Sequence, residues 1–414
     1  MRTMDWLGQM SRKKIAEWLC YERDSFNCKL DSLTAVCVAN FPSYQHFPAM
    51  GSDPQWGQTP WREMARKIRY QPKNVCYHVV TRIAHREFFF DDAEKEIVLR
   101  LIRNVERFSG VSVVSYAIMS NHLHLLLFID KPATLVAWED AGYFLGYDFD
   151  KFREGDVYRV SEFNVFTQSE VDEFRRLYSF PVLERYEMTR EELVDRMRFV
   201  MRPTGFSLLM DKWSRLGQEE IEDEYERQLL RMYDLSAFMK ILKQDISQYY
   251  NHRHGHVGGL WEGRFSDVIV QRSVEAMSAV AAYIGLNAWR AKLCADPGDY
   301  PWCGWSAALA GDVRRRAAYG FVYDTGVPWE TVKGIHGQQL RQRMERDTAE
   351  QAEKEEAVFT SGAVIGSASF VEGVVKREEA AFPRGHKTPP VDFQVGDVRL
   401  SSLRNLGALR GGRR

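Results

Sequence analysis

The sequence predicts an α+β fold: a ferredoxin-like, split β-α-β antiparallel sheet carrying a helical insertion and N- and C-terminal extensions. Three observations predict it. Residues 74–129 run strand, helix, strand, strand, and residues 235–287 resume with a helix, a strand and one more helix. The order β-α-β-β-α-β is the split pattern, here with a helix appended. Between the two blocks, residues 131–234 abandon that rhythm, as an insertion in one loop of the core does.

The first strand is Asn74–Ile83 (NVCYHVVTRI), a run of β-branched and aromatic residues. Helical spacing follows over Asp91–Ser109, with apolar residues at Ile97, Leu101, Ile102 and Val105, and Gly110 marks its end. Val111–Ile118 (VSVVSYAI) is the second strand, MSN the turn, and His122–Ile129 (HLHLLLFI) the third strand. In the insertion, aromatic residues gather at Tyr143–Tyr147. Thr189 and Glu192 stand in capping-box spacing at the head of a helix that Pro203 is expected to stop. An acidic stretch, Gln218–Glu226, comes later. Leu235–Tyr250 is amphipathic, with Leu235, Phe238, Met239, Leu242 and Ile246 on one face. Gly258–Val270 suits a turn and a strand, and Ser273 can cap a helix over Val274–Asn287. The resulting organisation is an N-terminal extension (1–70), a split core (71–130 and 235–306), a mostly helical insertion (131–234) and a C-terminal region (307–414). The last contains a charged helix over Gln338–Ala357 and a mobile basic end, Arg404–Arg414.

Composition narrows the function. Of 414 residues, 45% are hydrophobic and 27% charged, enough to bury a large core. The net charge of -1 excludes a uniformly basic nucleic-acid binder, so any such role must rest on a local patch. No apolar run approaches the roughly 18 residues that span a bilayer, and the start lacks an apolar leader, so a soluble cytoplasmic protein without a membrane partner is expected. The six cysteines include no CxxC pair and form no zinc-like grouping.

Two local patterns carry chemistry. In Asn121-His122-Leu123-His124-Leu125 the alternation of a strand puts both imidazoles on one face. There they either hold a divalent cation between them or are simply two histidines of a half-exposed strand. On the last helix, Tyr283 and Asn287 lie four residues apart and share a face. A phenol, with a free pKa of about 10, attacks a phosphodiester only when a cation polarises the phosphate. An amide oxygen is an acceptable ligand for Mg²⁺ or Mn²⁺. The ordinary alternative is a packed tyrosine beside a surface amide. Tyr249 and Tyr250 are rival nucleophiles. A third group of residues is basic and aromatic: Arg82 on the first strand, then Arg253, His254, Trp261, Arg264 and Arg272, with His252 and His256 among them. Such a mixture suits single-stranded nucleic acid, cations on phosphates and rings on bases. His78 reads as structural.

Taken together and in order, YHVVTR (Tyr77–Arg82), YAIMSNHLHLLL (Tyr116–Leu127), YYNHRHGHVGGLWEGRF (Tyr249–Phe265), YIGLNAWRAKL (Tyr283–Leu293) and DPGDYPW (Asp296–Trp302) resemble the REP-associated tyrosine transposases, a branch of the single-tyrosine HUH transposases with an IS200-like transposase domain. The resemblance implies His122 and His124 as metal ligands, Asn287 as a third ligand and Tyr283 as the nucleophile. It also implies a 5′-phosphotyrosine intermediate on single-stranded, hairpin-forming repeat DNA, with Mg²⁺ or Mn²⁺ as cofactor. The chain departs from the family pattern at Asn287-Ala288, where Asn-Pro is usual, and at Arg82-Ile83-Ala84-His85, where Arg-Gly-Asn-Asn is frequent. The second departure changes a loop that can meet DNA. Three other readings remain: a DNA-binding regulator of the same fold that does not cleave, a metallohydrolase that activates water, and an RNA-binding module. Either a monomer or a homodimer is compatible with the sequence.

Overall fold

In the structure, a computed structural model, the described residues are 75–84, 90–136, 158–159, 165–166, 182–323, 326–381, 390–395 and 398–403. The Pro60–Tyr70 segment, the aromatic run Tyr143–Tyr147 and the Arg404–Arg414 end lie outside them.

The core begins with β1 (Val75–Arg82), α1 (Asp92–Ser109), β2 (Val111–Ile118) and β3 (His122–Ile129). Asp91 caps α1 through a capping box with Glu94. Gly110, at φ 68°, ends it in the left-handed conformation open to glycine. After the insertion come α5 (Leu235–His254), β4 (Ser266–Gln271) and α6 (Val274–Arg290), where α2 to α4 are the insertion helices Arg190–Met197, Pro203–Trp213 and Gln218–Leu229. The four strands lie in the order β2-β3-β1-β4, all antiparallel neighbours. This is the ferredoxin-like arrangement, and the α+β expectation holds.

The insertion corrects one reading. Pro203 does not stop a helix but opens one, as the first residue of α3, with Arg202 as its N-cap. Proline has no N–H to leave unbonded there and its φ already suits the first turn.

The C-terminal region is more than a charged helix. Helices α7 (Gly304–Leu309), α8 (Val313–Val322), α9 (Trp329–Glu345) and α10 (Ala349–Phe359) precede β5 (Val364–Gly366), α11 (Ala368–Ala381) and the hairpin β6 (Val391–Val395) and β7 (Val398–Leu403). The charged run expected over Gln338–Ala357 is broken between α9 and α10, where the Thr348 side chain accepts from the Gln351 amide and caps the second helix. β5 pairs parallel to β4, and β7 and β6 follow, so the sheet reaches seven strands.

The strands β1 and β3 at the centre of the core are buried on both faces. Residues Val75, Tyr77 and Val79 of β1 and Leu123, Leu125 and Leu127 of β3 pack with Val98, Ile102 and Val105 of α1 and Phe238, Leu242 and Ile246 of α5. The other face carries Cys76, Leu126, Phe128, Val268 and Val270 against α6. Twelve of the seventeen α6 residues are buried, because α9 and α10 cover the side turned away from the sheet. A helix apolar all round is an interior helix.

One glycine is decisive. A Cβ on Gly110 would stand 2.5 Å from the Tyr233 ring, and Tyr233 N donates to Ser109 O at 2.8 Å, closing the insertion onto the end of α1. Gly110→Ala is expected to destabilise the protein by about 2–4 kcal/mol, from the left-handed backbone and the ring it displaces. A urea unfolding midpoint unchanged by the substitution would refute this.

Candidate active site

The strand register assembles three imidazoles on the α6 face. His124 pairs across the ladder with Val80 and His122 with Arg82, while His78 opposes Leu126. His78 is therefore diagonal to His124 on the same face. Ring centroids are 4.9 Å apart for His122 and His124 and 5.3 Å for His78 and His124, the latter pair stacked. From α6 the Tyr283 ring stands edge-on, 5.9 Å from His124 and 5.8 Å from His78.

Hydrogen bonds fix these rings. His78 Nδ1 lies 2.6 Å from the Phe359 carbonyl oxygen, and His78 Nε2 lies 3.1 Å from His124 Nδ1. His122 Nδ1 lies 2.6 Å from Asn121 Oδ1. His78 and His124 are buried, whereas His122, at the start of β3, is partly open. The site therefore opens at the His122 end of the sheet. Burial lowers the pKa of His78 to about 4, against the Phe359 carbonyl, which raises it. Burial, then the Arg82 guanidinium, lowers His122 to about 4. His124 is held well below the usual histidine range by burial first, then by the adjoining His122 and His78 imidazoles and the Arg82 guanidinium, which disfavour a proton there. All three rings are thus neutral near pH 7, the form in which an imidazole can be a ligand.

Imidazole nitrogens and an amide oxygen are the candidate donors, a mixed nitrogen and oxygen set. Asn287 gives Nδ2–H to Tyr283 O at 2.8 Å and to Ile284 O at 3.4 Å, so the amide nitrogen is tied to its own helix and Oδ1 is the atom left over. Among the described residues no three His, Cys, Asp or Glu side chains converge on one point. The candidate donors are therefore His122 and His124 on β3 and the Asn287 amide oxygen on α6.

Tyr283 is only 4% exposed. Its Oη is 2.9 Å from Thr360 Oγ1, and its ring packs 4.9 Å from that of Phe359. Burial raises the phenol pKa, and the Thr360 hydroxyl opposes that shift. The rival tyrosines lie on α5, across the sheet. Tyr250 is buried in the opposite cluster, and the Tyr249 hydroxyl accepts from Arg253 at 2.8 Å.

The basic and aromatic residues divide into three places. Arg82, Trp261 and Arg264 sit at the open end: Ile83 bridges to Trp261, Glu262 N donates to Arg82 O at 3.0 Å, and Arg264 is exposed. Arg82 also faces Glu356 at 3.5 Å. Arg253 and His254, at the end of α5, pair with Asp91 and Glu94 at the head of α1, on the other face. Arg272 follows β4 and lies over Phe128 and Phe321, at the opposite end of the sheet from His122. The structure does not bring these last three to the histidines.

Phe359 and Thr360 escaped the sequence reading, because no local pattern links them to His78, 281 residues earlier, or to Tyr283, 77 residues earlier. His78 carried a usable signal, since its even spacing from Arg82 and its polarity within an apolar strand put it on the histidine face.

Residues 71–137, which span β1, α1, β2 and β3 with both histidines, match the family model described as Transposase IS200 like. A solved structure of a REP-associated tyrosine transposase bound to a REP hairpin aligns at 11% identity, covering 60% of this chain and 88% of that one, with a TM-score of 0.30. No curated protein matches the sequence. Among the described residues no helix is long and apolar enough to cross a membrane.

Proposed function

We propose that this chain, which carries an IS200-like transposase segment at residues 71–137, is a divalent-cation-dependent endonuclease and strand-transferase for single-stranded, hairpin-forming DNA. One observation carries the reading: the His124 ring lies 4.9 Å from that of His122 on the same strand and 5.9 Å from that of Tyr283 on α6. His122, His124 and Asn287 are the side chains that would hold the cation. Mg²⁺ or Mn²⁺, when bound there, would supply polarisation of the scissile phosphate and a counter-charge for the phenolate.

The remaining chemistry belongs to the protein. Tyr283 Oη forms a bond to phosphorus, its proton passing to solvent, while the bond from phosphorus to the 3′-side oxygen breaks. That oxygen gains a proton as a free 3′-OH, and the 5′-phosphate stays on Tyr283. No water is consumed, so a 3′-OH can reverse the attack and rejoin a strand. Arg82, Trp261 and Arg264, at the open end, are the side chains that would meet phosphates and bases. Attack requires the Tyr283 hydroxyl to exchange its bond to Thr360 for the phosphate.

That same bond and the burial of Tyr283 favour a second reading, a DNA-binding regulator that does not cleave. A covalent-trapping gel separates the two. Labelled single-stranded hairpin DNA from palindromes flanking the gene is incubated with Mn²⁺ and the protein, Tyr283→Phe or a chelator. The expected result is a cation-dependent adduct that Tyr283→Phe lacks. Tight binding without an adduct supports the regulator, and cleavage that survives Tyr283→Phe points to activated water or another nucleophile.

A further inference from the structure

We infer that His78 is a positioning residue for the cation site: it holds His124 as the tautomer whose Nε2 is bare and able to ligate. This rests on the reading of His122 and His124 as cation ligands.

The argument is proton accounting along a chain of hydrogen bonds. A backbone carbonyl only accepts, so at 2.6 Å from Phe359 O the Nδ1 of His78 carries the proton. His78 is fully buried beside a second imidazole, so its ring holds a single proton and Nε2 presents a lone pair. His124 Nδ1, 3.1 Å away, must then be the donor, which leaves His124 Nε2 unprotonated. At His122 the acceptor is Asn121 Oδ1, 2.6 Å from Nδ1, and the same logic bares its Nε2. Both ligand nitrogens are thereby set before any cation arrives. Both nitrogens of His78 are engaged, so it is not itself a third ligand. Metal-binding histidines commonly give their second N–H to such an outer partner, and loss of that partner lowers metal affinity about 10- to 100-fold. Here the partner is another imidazole, whose own tautomer is dictated by a carbonyl of the C-terminal region.

The direct test needs no cation. In metal-free protein with ¹⁵N-labelled histidine, two-bond ¹H–¹⁵N correlation spectra report each ring's tautomer, with His124→Ala and His78→Gln used for assignment. The expected spectrum has His124 and His78 protonated at Nδ1. A His124 ring protonated at Nε2 overturns the inference, even if His78 variants fail to fold. The second test is Mn²⁺ binding followed by electron paramagnetic resonance. His78→Phe should weaken binding about 10- to 100-fold, and His78→Gln, which offers both a donor and an acceptor, should restore part of it. Wild-type affinity in a folded His78→Phe protein leaves His78 a packing residue only. His124→Ala should abolish binding; if it does not, the ligand assignment itself is at fault rather than the role of His78.

Discussion

Taking the metal-free protein from pH 7 to pH 5 is expected to lower its unfolding free energy by several kcal/mol. The cause is a set of histidines that the fold keeps neutral. His78 and His336 have no exposed surface, and burial lowers them to about 4 and about 3, with the Arg343 guanidinium adding to the effect at His336. His336 sits among Trp305, Tyr319 and Tyr323, bonded through Nδ1 to the Tyr323 hydroxyl at 2.7 Å. These rings bind protons more weakly in the folded chain than in the unfolded one. Stability is therefore complete above about pH 6.5 and is lost as the pH falls towards 4. Each of the two should subtract about 2 kcal/mol between pH 7 and pH 5, and His122 and His124 shift in the same direction. Against a typical total of about 5–15 kcal/mol, that is a large share. Thermal unfolding followed with chelator between pH 5 and pH 7 checks it, and a midpoint flat across that range contradicts it. With Mn²⁺ present, the loss due to His122 and His124 should still begin near the unfolded pKa of about 6.5 but continue to lower pH, while the His336 part stays.

The second large effect is expected from Glu355→Gln. This carboxylate lies between two guanidiniums, 2.5 Å from Arg343 Nη2 and 2.8 Å from Arg290 Nη2. Burial would raise its pKa, but Arg343 and Arg290 prevail and hold it below the usual carboxylate range. Arg290 keeps Asp347 at 2.6 Å when the charge is removed. Among the described residues, Arg343 keeps a hydrogen bond to the Ala279 carbonyl at 2.8 Å and the more distant Asp347 charge. Leaving one buried charge without its partner costs about 3–5 kcal/mol. Denaturant unfolding at pH 7.5 should show that loss, and adding Arg343→Met should recover much of it, because the stranded charge is then gone. A loss under about 1 kcal/mol in the single variant would mean that water or relaxation reaches Arg343. The network also matters for the site, because α10 ends at Phe359 and Thr360, the partners of His78 and Tyr283.

The legible parts of the sequence were those whose meaning is local. Alternation in HLHLLLF placed both histidines on one face because a strand has period two, and the β1 register then follows from apolar residues on both faces. Strand order followed from element order and the rule for split β-α-β units. What escaped depends on distance along the chain or on shortness. β5 has only three residues, too few for a periodic signal, and its place in the sheet comes from β4 far upstream. The interior position of α6 was hidden because Leu286 and Ile284 suggest a two-sided helix only once α9 and α10 are known to cover it. The break at Thr348 was readable, since Thr348 and Gln351 have cap spacing, but the surrounding charge pattern reads as one continuous helix.

The Phe359 carbonyl that sets the His78 ring has a consequence for synthesis. Strands β1 to β3 leave the ribosome long before residue 359 is made. At about 5–20 residues per second the histidine face waits on the order of ten to fifty seconds for α6 and α10. During that interval Cys76, Leu126 and Phe128 have no native cover. Until then the nascent chain has its imidazoles unset and one face of its sheet bare, and only once Phe359 has joined is a proton pattern defined at the site.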